Sequence, residues 1–221
     1  MRIRRKKWAR PELQDCRYYI SNPTEYFGCW NKQFKNNNPI HLELGCGKGV
    51  FISKLAVKNQ NINYIAVDIK TDILAVAKRN IEKTFFSFKN NSDIENVLLA
   101  EFNVQQISDV FSIRDEIDRI YINFCNPWNK EKHKKRRLTH IRQLENYKNF
   151  LKNNSEIFFK TDDDELYRDS LTYFIDTGFK IELNVEKITN QNEQFSLPQS
   201  EHETMYIEQK KNIYMIIAKT P

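Results

Sequence analysis

Two short segments of this sequence carry residue types suited to chemistry. Glu43-Leu-Gly45-Cys-Gly47-Lys-Gly49 follows the apolar stretch His41-Leu-Glu-Leu, and Asn123-Phe-Cys-Asn126-Pro127-Trp128 follows Ile120-Tyr-Ile-Asn-Phe some eighty residues later. Each reads as a loop leaving the carboxyl end of a buried strand. Ligands of open α/β sheets bind at those ends, so both loops can face one crevice. Glycine has no Cβ and tolerates positive φ, which lets a ligand come close to the backbone. The first loop is not a dinucleotide fingerprint, because the third glycine of G-x-G-x-x-G would fall on Val50. Nor is it a P-loop, because Lys48 is followed by Gly49 and not by Ser or Thr. Tyr64-Ile-Ala-Val-Asp68 reads as the next strand, and Asp68 lies 19 residues past Gly49. An acid at that place accepts hydrogen bonds from a ribose diol in nucleoside-binding sheets. The expected ligand is therefore a nucleoside cofactor, with a plain strand-to-helix turn as the alternative.

The acidic-x-G-x-G-x-G pattern resembles the first motif of S-adenosylmethionine-dependent methyltransferases that have a Rossmann-like sheet. The elements needed to position it alternate along the chain. Strand 41–44 leads into a helix through about Gln60, and strand 63–68 into a helix from about Asp72 to Thr84. Segment 87–95 reads as a polar loop before a strand at 97–102. Strand 119–124 precedes the Asn-Pro-Trp loop, then a helix near 139–152 and strand 156–160. A helix from Asp163 to about Asp176 stops at Gly178, a natural C-cap, and strands 179–185 and 213–218 close the chain. Segment 189–203, rich in Asn, Gln, Ser and Glu, reads as a surface loop. Strands separated by helices predict a mainly parallel α/β sheet.

With 221 residues the chain is expected to form a single domain, with residues 1–38 as a basic arm and lead-in and 39–221 as the core. No run of eighteen apolar residues predicts a membrane span, and no apolar region follows the basic N-terminus as in a secretory signal. Cys16, Cys29, Cys46 and Cys125 lack CxxC spacing and fit reduced thiols in a cytoplasmic protein. His41, His133, His140 and His202 have no metal-ligand spacing, so no metal is expected.

The net charge of +6 is unevenly distributed. Arg2, Arg4, Arg5, Lys6, Lys7 and Arg10 crowd the first ten residues with no acid among them. Lys130, Lys132, Lys134, Lys135, Arg136, Arg137 and Arg142 stand against Glu131 alone, which leaves the rest of the chain net acidic. Basic runs are usually solvated tails or localisation signals. The second begins two residues after Trp128, on the rim of the proposed reaction loop, and there it predicts a polyanionic substrate.

Several segments together are similar to one family. Met1-Arg-Ile-Arg with Trp8-Ala, Ser21-Asn-Pro23, Asn38-Pro-Ile-His-Leu-Glu-Leu-Gly-Cys-Gly-Lys-Gly49, Asn123-Phe-Cys-Asn-Pro-Trp128, Lys134-Lys-Arg-Arg-Leu-Thr139 and Phe159-Lys-Thr-Asp162 resemble the bacterial tRNA (guanine-N7-)-methyltransferases. The resemblance runs from the first residue to the last strand, and 121–139 is its most specific part. It implies a seven-stranded class I methyltransferase sheet with helices on both faces. It also implies S-adenosylmethionine as methyl donor and N7 of the variable-loop guanine of tRNA as acceptor. Position by position it makes Glu43, Asp68 and Asn103 cofactor contacts, alongside Gly45, Gly47 and Gly49, and Asn126 a position shared between cofactor and catalysis. It makes Lys130 and Asp162 substrate contacts, and Lys132, His133, Lys134, Lys135, Arg136 and Arg137 an RNA-contacting loop. The family's C-terminal Thr-x-Tyr-Glu-x-Lys falls on Ser200, His202, Glu203 and Met205, adding Ser200 and Glu203 to the substrate contacts. The chain departs from the pattern at Asn126 (usually Asp), Asn129 (usually Pro), His202 (usually Tyr) and Met205 (usually Lys).

Asn126 and Asp162 are thus the candidate catalytic residues. Guanine N7 carries an in-plane lone pair and no proton, so its methylation needs alignment more than a base, and an asparagine oxygen can still stabilise the cationic product. Asp162 with Glu165 also fits a capping box for the following helix, and a carboxylate there can accept bonds from guanine N1–H and N2–H; the two roles are compatible. Trp128 can stack on an extruded base or pack in the core. Two other functions fit parts of the chain. One is methylation of an exocyclic amino group, suggested by Asn-Pro-Trp. The other is a catalytically silent RNA-binding relative, against which the intact Gly45, Gly47, Gly49 and Asp68 weigh.

Overall fold

A computed structural model describes residues 6–89, 93–188 and 197–221. Eight strands form one sheet: β1 (Tyr19–Ile20), β2 (Ile40–Leu44), β3 (Asn63–Asp68), β4 (Val97–Glu101), β5 (Ile117–Asn123), β6 (Leu151–Thr161), β7 (Lys180–Val185) and β8 (Tyr214–Lys219). Their order is β1-β4-β3-β2-β5-β6-β8-β7. All pairs are parallel except β6 with β8 and β8 with β7. The central strands explain the apolar runs, since β2 is buried at every position, whereas the edge strand β7 alternates between exposed and half-buried residues. The strand order reverses between β2 and β5, and that is where the carboxyl ends of two adjacent strands leave a crevice.

Helices α1 (Ala9–Gln14) and α2 (Val50–Lys58) pack against α3 (Thr71–Lys89), and α4 (Ile141–Lys148) packs against α5 (Asp164–Asp176); α6 (Glu201–Glu208) precedes β8. The mainly parallel α/β class expected from the sequence is found, with one strand more than seven. The extra strand is β1, whose Tyr19 and Ile20 pair with Leu99 and Ala100 of β4.

β1 belongs to the lead-in before residue 39, which is folded onto the core. Ala9 and Leu13 of α1 are buried. Trp30 is buried as well, stacks on Phe111 with centroids 5.1 Å apart, and donates its indole N–H to the Val110 carbonyl at 2.9 Å. Asp115 accepts from the Gly28 and Trp30 amides, each at 3.0 Å, so this cover is tied to the core by buried hydrogen bonds. Residues 1–5 of the basic arm lie outside the described residues.

Other boundaries shift for local reasons. α3 continues past Thr84 because Phe85 extends the buried stripe of Leu74, Ala77 and Ile81. α4 is shorter than expected: His140 is its N-cap and Thr139 lies outside it, with its hydroxyl 2.6 Å from that of Ser170. It ends at Lys148 because Leu151 already pairs with Ile117 as the start of β6. The start of β6 is irregular, with a register shift between Ile117 and Arg119 of its partner and Asn154 at φ 64°, and its first residues were expected to end the helix near 139–152. α5 is capped by Asp163, whose Oδ1 accepts from Leu166 N–H at 2.8 Å, and not by Asp162. Of the loop expected over 189–203, residues 189–196 lie outside the described residues and 201–203 open α6. Ser200 accepts from Glu203 N–H at 3.1 Å, the Ser-x-x-Glu signature of a helix start.

Candidate active site

The glycine-rich turn is anchored to the neighbouring strand. Gly45 and Cys46 both donate their amides to the Val67 carbonyl, at 2.9 and 2.8 Å, which brings the turn to the carboxyl end of β3. Its glycines serve different ends. At Gly49 (φ 69°) a Cβ would stand 2.8 Å from the Ala77 Cβ, so this glycine lets α2 and α3 approach. At Gly47 (φ 53°) a Cβ would meet nothing within 4 Å, so the chain turns tightly beside open space. Asp68, half-buried at the end of β3, accepts from Gly47 N–H at 3.2 Å and from Lys70 N–H at 3.0 Å. Burial raises its pKa, and these backbone donors oppose the rise.

Glu43 is 2 % exposed. One carboxylate oxygen accepts from Asn123 Nδ2 at 3.3 Å; the other has no hydrogen-bond partner among the described residues. Burial pushes its pKa up to about 8, Asn123 opposing and the nearby Asp68 charge adding to the rise. Asn123 ends β5, so this bond joins the two loops across the point where the strand order reverses. Asn103 lies two residues beyond β4 at the same end of the sheet, and its side chain caps a 3-10 turn by accepting from Gln105 N–H at 3.1 Å.

The reaction loop holds two non-glycine residues in the left-handed region, Phe124 (φ 50°) and Trp128 (φ 47°). Phe124 N–H donates to the Lys160 carbonyl at 2.9 Å. Asn126 is exposed between them, and its Oδ1 accepts from Trp128 N–H at 3.0 Å. The ring of Trp128 is half-buried against its own loop: the Arg136 guanidinium lies 5.2 Å and the His133 ring 5.8 Å from its centroid.

The basic run divides into outward and inward members. Lys130, Lys132, Lys135, Arg136 and Arg142 are exposed. Lys134 pairs with Glu131 (2.9 Å), Glu165 (2.8 Å) and Asp169 (3.4 Å), and hydrogen bonding to Glu165, then Glu131, raises its pKa. Arg137 corrects the expectation of an RNA contact. Its side chain is 0 % exposed, held by the Pro127 carbonyl, Glu165 and Asp169, and so out of reach of a phosphate. A charge run read in sequence does not show which of its members turn inward.

The C-terminal assignments also change. Glu203 is buried and takes both hydrogen bonds of Lys160 Nζ, at 2.8 and 2.9 Å. Removing one member of such a buried pair costs about 3–5 kcal/mol. Ser200 is buried, with its hydroxyl committed to the cap of α6. Both are corrected from substrate contacts to supports of α6. The helix itself reaches the site, since Phe124 packs on His202 (6.1 Å) and Tyr206 (5.5 Å) and Lys48 pairs with Glu201 at 2.7 Å. Asp162, freed from capping, is half-buried and 3.6 Å from Lys211 Nζ, and its charge adds to the rise that burial imposes on the pKa of the nearby Tyr206. Sequence reasoning missed Lys160, Tyr206 and Lys211; the Ser200-x-x-Glu203 box was the available signal for the helix that brings Tyr206 to the site.

Comparisons with known proteins give the family and the fold. A family model described as "Putative methyltransferase" matches residues 37–216. A tRNA (guanine-N(7)-)-methyltransferase of Clostridium beijerinckii is 52 % identical over 99 % of this chain and 98 % of its own length, and one of Clostridium botulinum is 51 % identical over the same shares. Among solved structures, an antibiotic-related methyltransferase superposes with a TM-score of 0.59 at 20 % identity, over 86 % of this chain and 90 % of that one, which supports the fold. Among the described residues no helix is long and apolar enough to cross a membrane. By these matches the chain belongs to the tRNA (guanine-N(7)-)-methyltransferase family.

Proposed function

We propose that this chain transfers a methyl group from S-adenosylmethionine to N7 of a guanine in the variable loop of tRNA, working as one domain in the cytoplasm. The observation that carries the reading is the joining of the two loops at the sheet's reversal point: Asn123 of the reaction strand bonds Glu43 beside the Gly47 turn. The residues there fit the donor. An unpaired buried carboxylate oxygen suits a cationic ligand, the space beside Gly47 lets it reach the backbone, and Asp68 offers acceptors for a ribose diol. When bound, S-adenosylmethionine supplies a methyl on a positively charged sulfur, which the in-plane lone pair of guanine N7 can take with no proton removed.

The work left to the protein is therefore orientation and charge stabilisation. Asn126 keeps a lone pair on Oδ1 beyond the one given to Trp128 N–H, and so can face a guanine that becomes cationic. Asp162 offers a carboxylate to the N1–H and N2–H edge. Lys130, Lys132, Lys135 and Arg136 face solvent beside the loop, where phosphates can reach them. The four cysteines are free thiols, in keeping with a reducing compartment.

Unmodified tRNA incubated with the enzyme and methyl donor, then digested and separated with mass detection, should yield 7-methylguanosine, and none when the variable-loop guanine is replaced by adenine. A product methylated on an exocyclic amine would replace this reading with the amino-methylating one. Donor binding without any methylated nucleoside would leave a silent RNA-binding relative.

Glu43 generates a prediction with opposite effects on stability and binding. Its carboxyl holds its proton more tightly in the folded than in the unfolded chain, so its ionisation opposes folding. The penalty is absent below the usual carboxylate range, builds as pH rises and is complete above about 8. Glu43→Gln should raise the thermal midpoint of the free protein at about pH 9, change it little at about pH 4, and weaken donor binding in calorimetric titration. A variant less stable than wild type at the higher pH would count against this description of Glu43.

The division of the basic run gives a second test. Replacing Lys132, Lys135 and Arg136 together by Gln should flatten the salt dependence of tRNA binding by about 2–3 units of slope, since each lost phosphate contact removes nearly one released ion. Lys134→Gln should change the slope much less, because that ammonium is already shared among Glu131, Glu165 and Asp169. Equal effects from both changes would mean that the inward pairs open on binding.

A further inference from the structure

Arg137 stands apart from the other bases of its run. Its side chain is buried while its neighbours Lys135 and Arg136 face solvent. Its guanidinium joins two parts of the structure. Nε donates to the Pro127 carbonyl at 2.6 Å, while one terminal nitrogen bonds Glu165 at 3.3 Å and the other bonds Asp169, both on α5. Lys134 shares the same two acids, at 2.8 and 3.4 Å, and also pairs with Glu131 at 2.9 Å, so the two cations are fully offset by carboxylates and the burial of a guanidinium becomes tolerable.

The turn that Arg137 touches needs outside support. Phe124 and Trp128, on either side of Asn126, both adopt positive φ, a conformation that a residue with a side chain keeps only where its surroundings over-determine it. At the near end Phe124 N–H is held by the Lys160 carbonyl. At the far end Pro127 has no N–H to offer, and its carbonyl is held by Arg137. A planar fork with several fixed donors suits this three-way task, and a flexible ammonium does not.

We propose that Arg137 is a positioning residue for the methyl transfer: anchored by Glu165 and Asp169, it fixes the Pro127 carbonyl and thereby the strained turn that presents Asn126. The proposal rests on the methyltransferase function above for its effect on rate, but its effect on the loop is independent of the substrate. Arg137→Lys keeps the charge and loses the fork, Arg137→Met loses both, and Asp169→Asn weakens the anchor at a partly exposed position where the fold should survive. Hydrogen–deuterium exchange should show faster exchange in peptide 123–129 for all three, least for Asp169→Asn, with α2 and β3 unchanged. Single-turnover rates at saturating donor and tRNA should fall about 10- to 100-fold for the Arg137 variants, as expected when reacting groups lose their alignment, while donor affinity, tRNA affinity and salt slope stay at wild-type values. Unchanged exchange in 123–129, or altered exchange with an unchanged rate, would overturn the proposal. So would a fall in tRNA affinity and salt slope matching the fall in rate, which would make Arg137 a phosphate contact. If the wild type made no 7-methylguanosine while loop exchange still responded, the proposed substrate would fail and the strut would stand.

Discussion

Glu43 sits inside the sheet where the strand order reverses, and taking a carboxylate out of water is costly unless something compensates it. The compensation within the protein is incomplete: one bond from Asn123 and, for the other oxygen, no partner among the described residues. Such a group calls for an explanation, and the proposed donor would supply one. The reversal between β2 and β5 makes this possible, because it sets the loop after one strand beside the loop after another eighty residues away. Without that adjacency the glycine turn and the Asn-Pro-Trp loop would be two unrelated turns.

Charge does two jobs in this chain, and burial separates them. Cations turned inward form closed pairs: Lys160 with Glu203 fixes α6 to the sheet, and Arg137 with Asp169 and Glu165 ties the reaction loop to α5. Cations turned outward stay hydrated and cost little to bring against a polyanion. Inward pairs are stiff because opening one leaves a charge stranded in a poor dielectric. A buried strut beside the Asn126 loop and a solvent-exposed electrostatic rim thus come from neighbouring residues of one basic stretch.

The parts legible in the sequence were those with short-range signatures. Apolar runs such as Tyr64-Ile-Ala-Val-Asp68 gave the parallel strands, and a carboxylate at the end of one and a glycine turn after another pointed to the carboxyl edge as the candidate site. The parts that were not legible depend on long-range pairing. Nothing local in Phe159-Lys160-Thr161 reveals that Lys160 points inward to a carboxylate 43 residues away. Nothing local in Lys135-Arg136-Arg137 reveals which base is buried. α6 was lost because polar composition outweighed its Ser200-x-x-Glu203 start, and α4 was drawn too long because Lys152-Asn-Asn154 looks unlike a strand. The fold was more readable than the site because the fold follows hydrophobic periodicity, while roles at the site depend on which polar groups meet.

Asn126 concentrates the chemical question, standing where the family usually has an aspartate. An amide cannot serve as a base near neutral pH, and alkylation of a bare lone pair does not ask for one. Measuring single-turnover methylation by the wild type and by Asn126→Asp from about pH 6 to about pH 9 tests this most directly. The wild type should be active, with a rate nearly independent of pH at saturating donor, and the aspartate variant should be active as well. A silent wild type beside an active variant whose rate climbs with deprotonation of the new carboxylate would show that a base is required, and would contradict the view of this site as one that works by alignment.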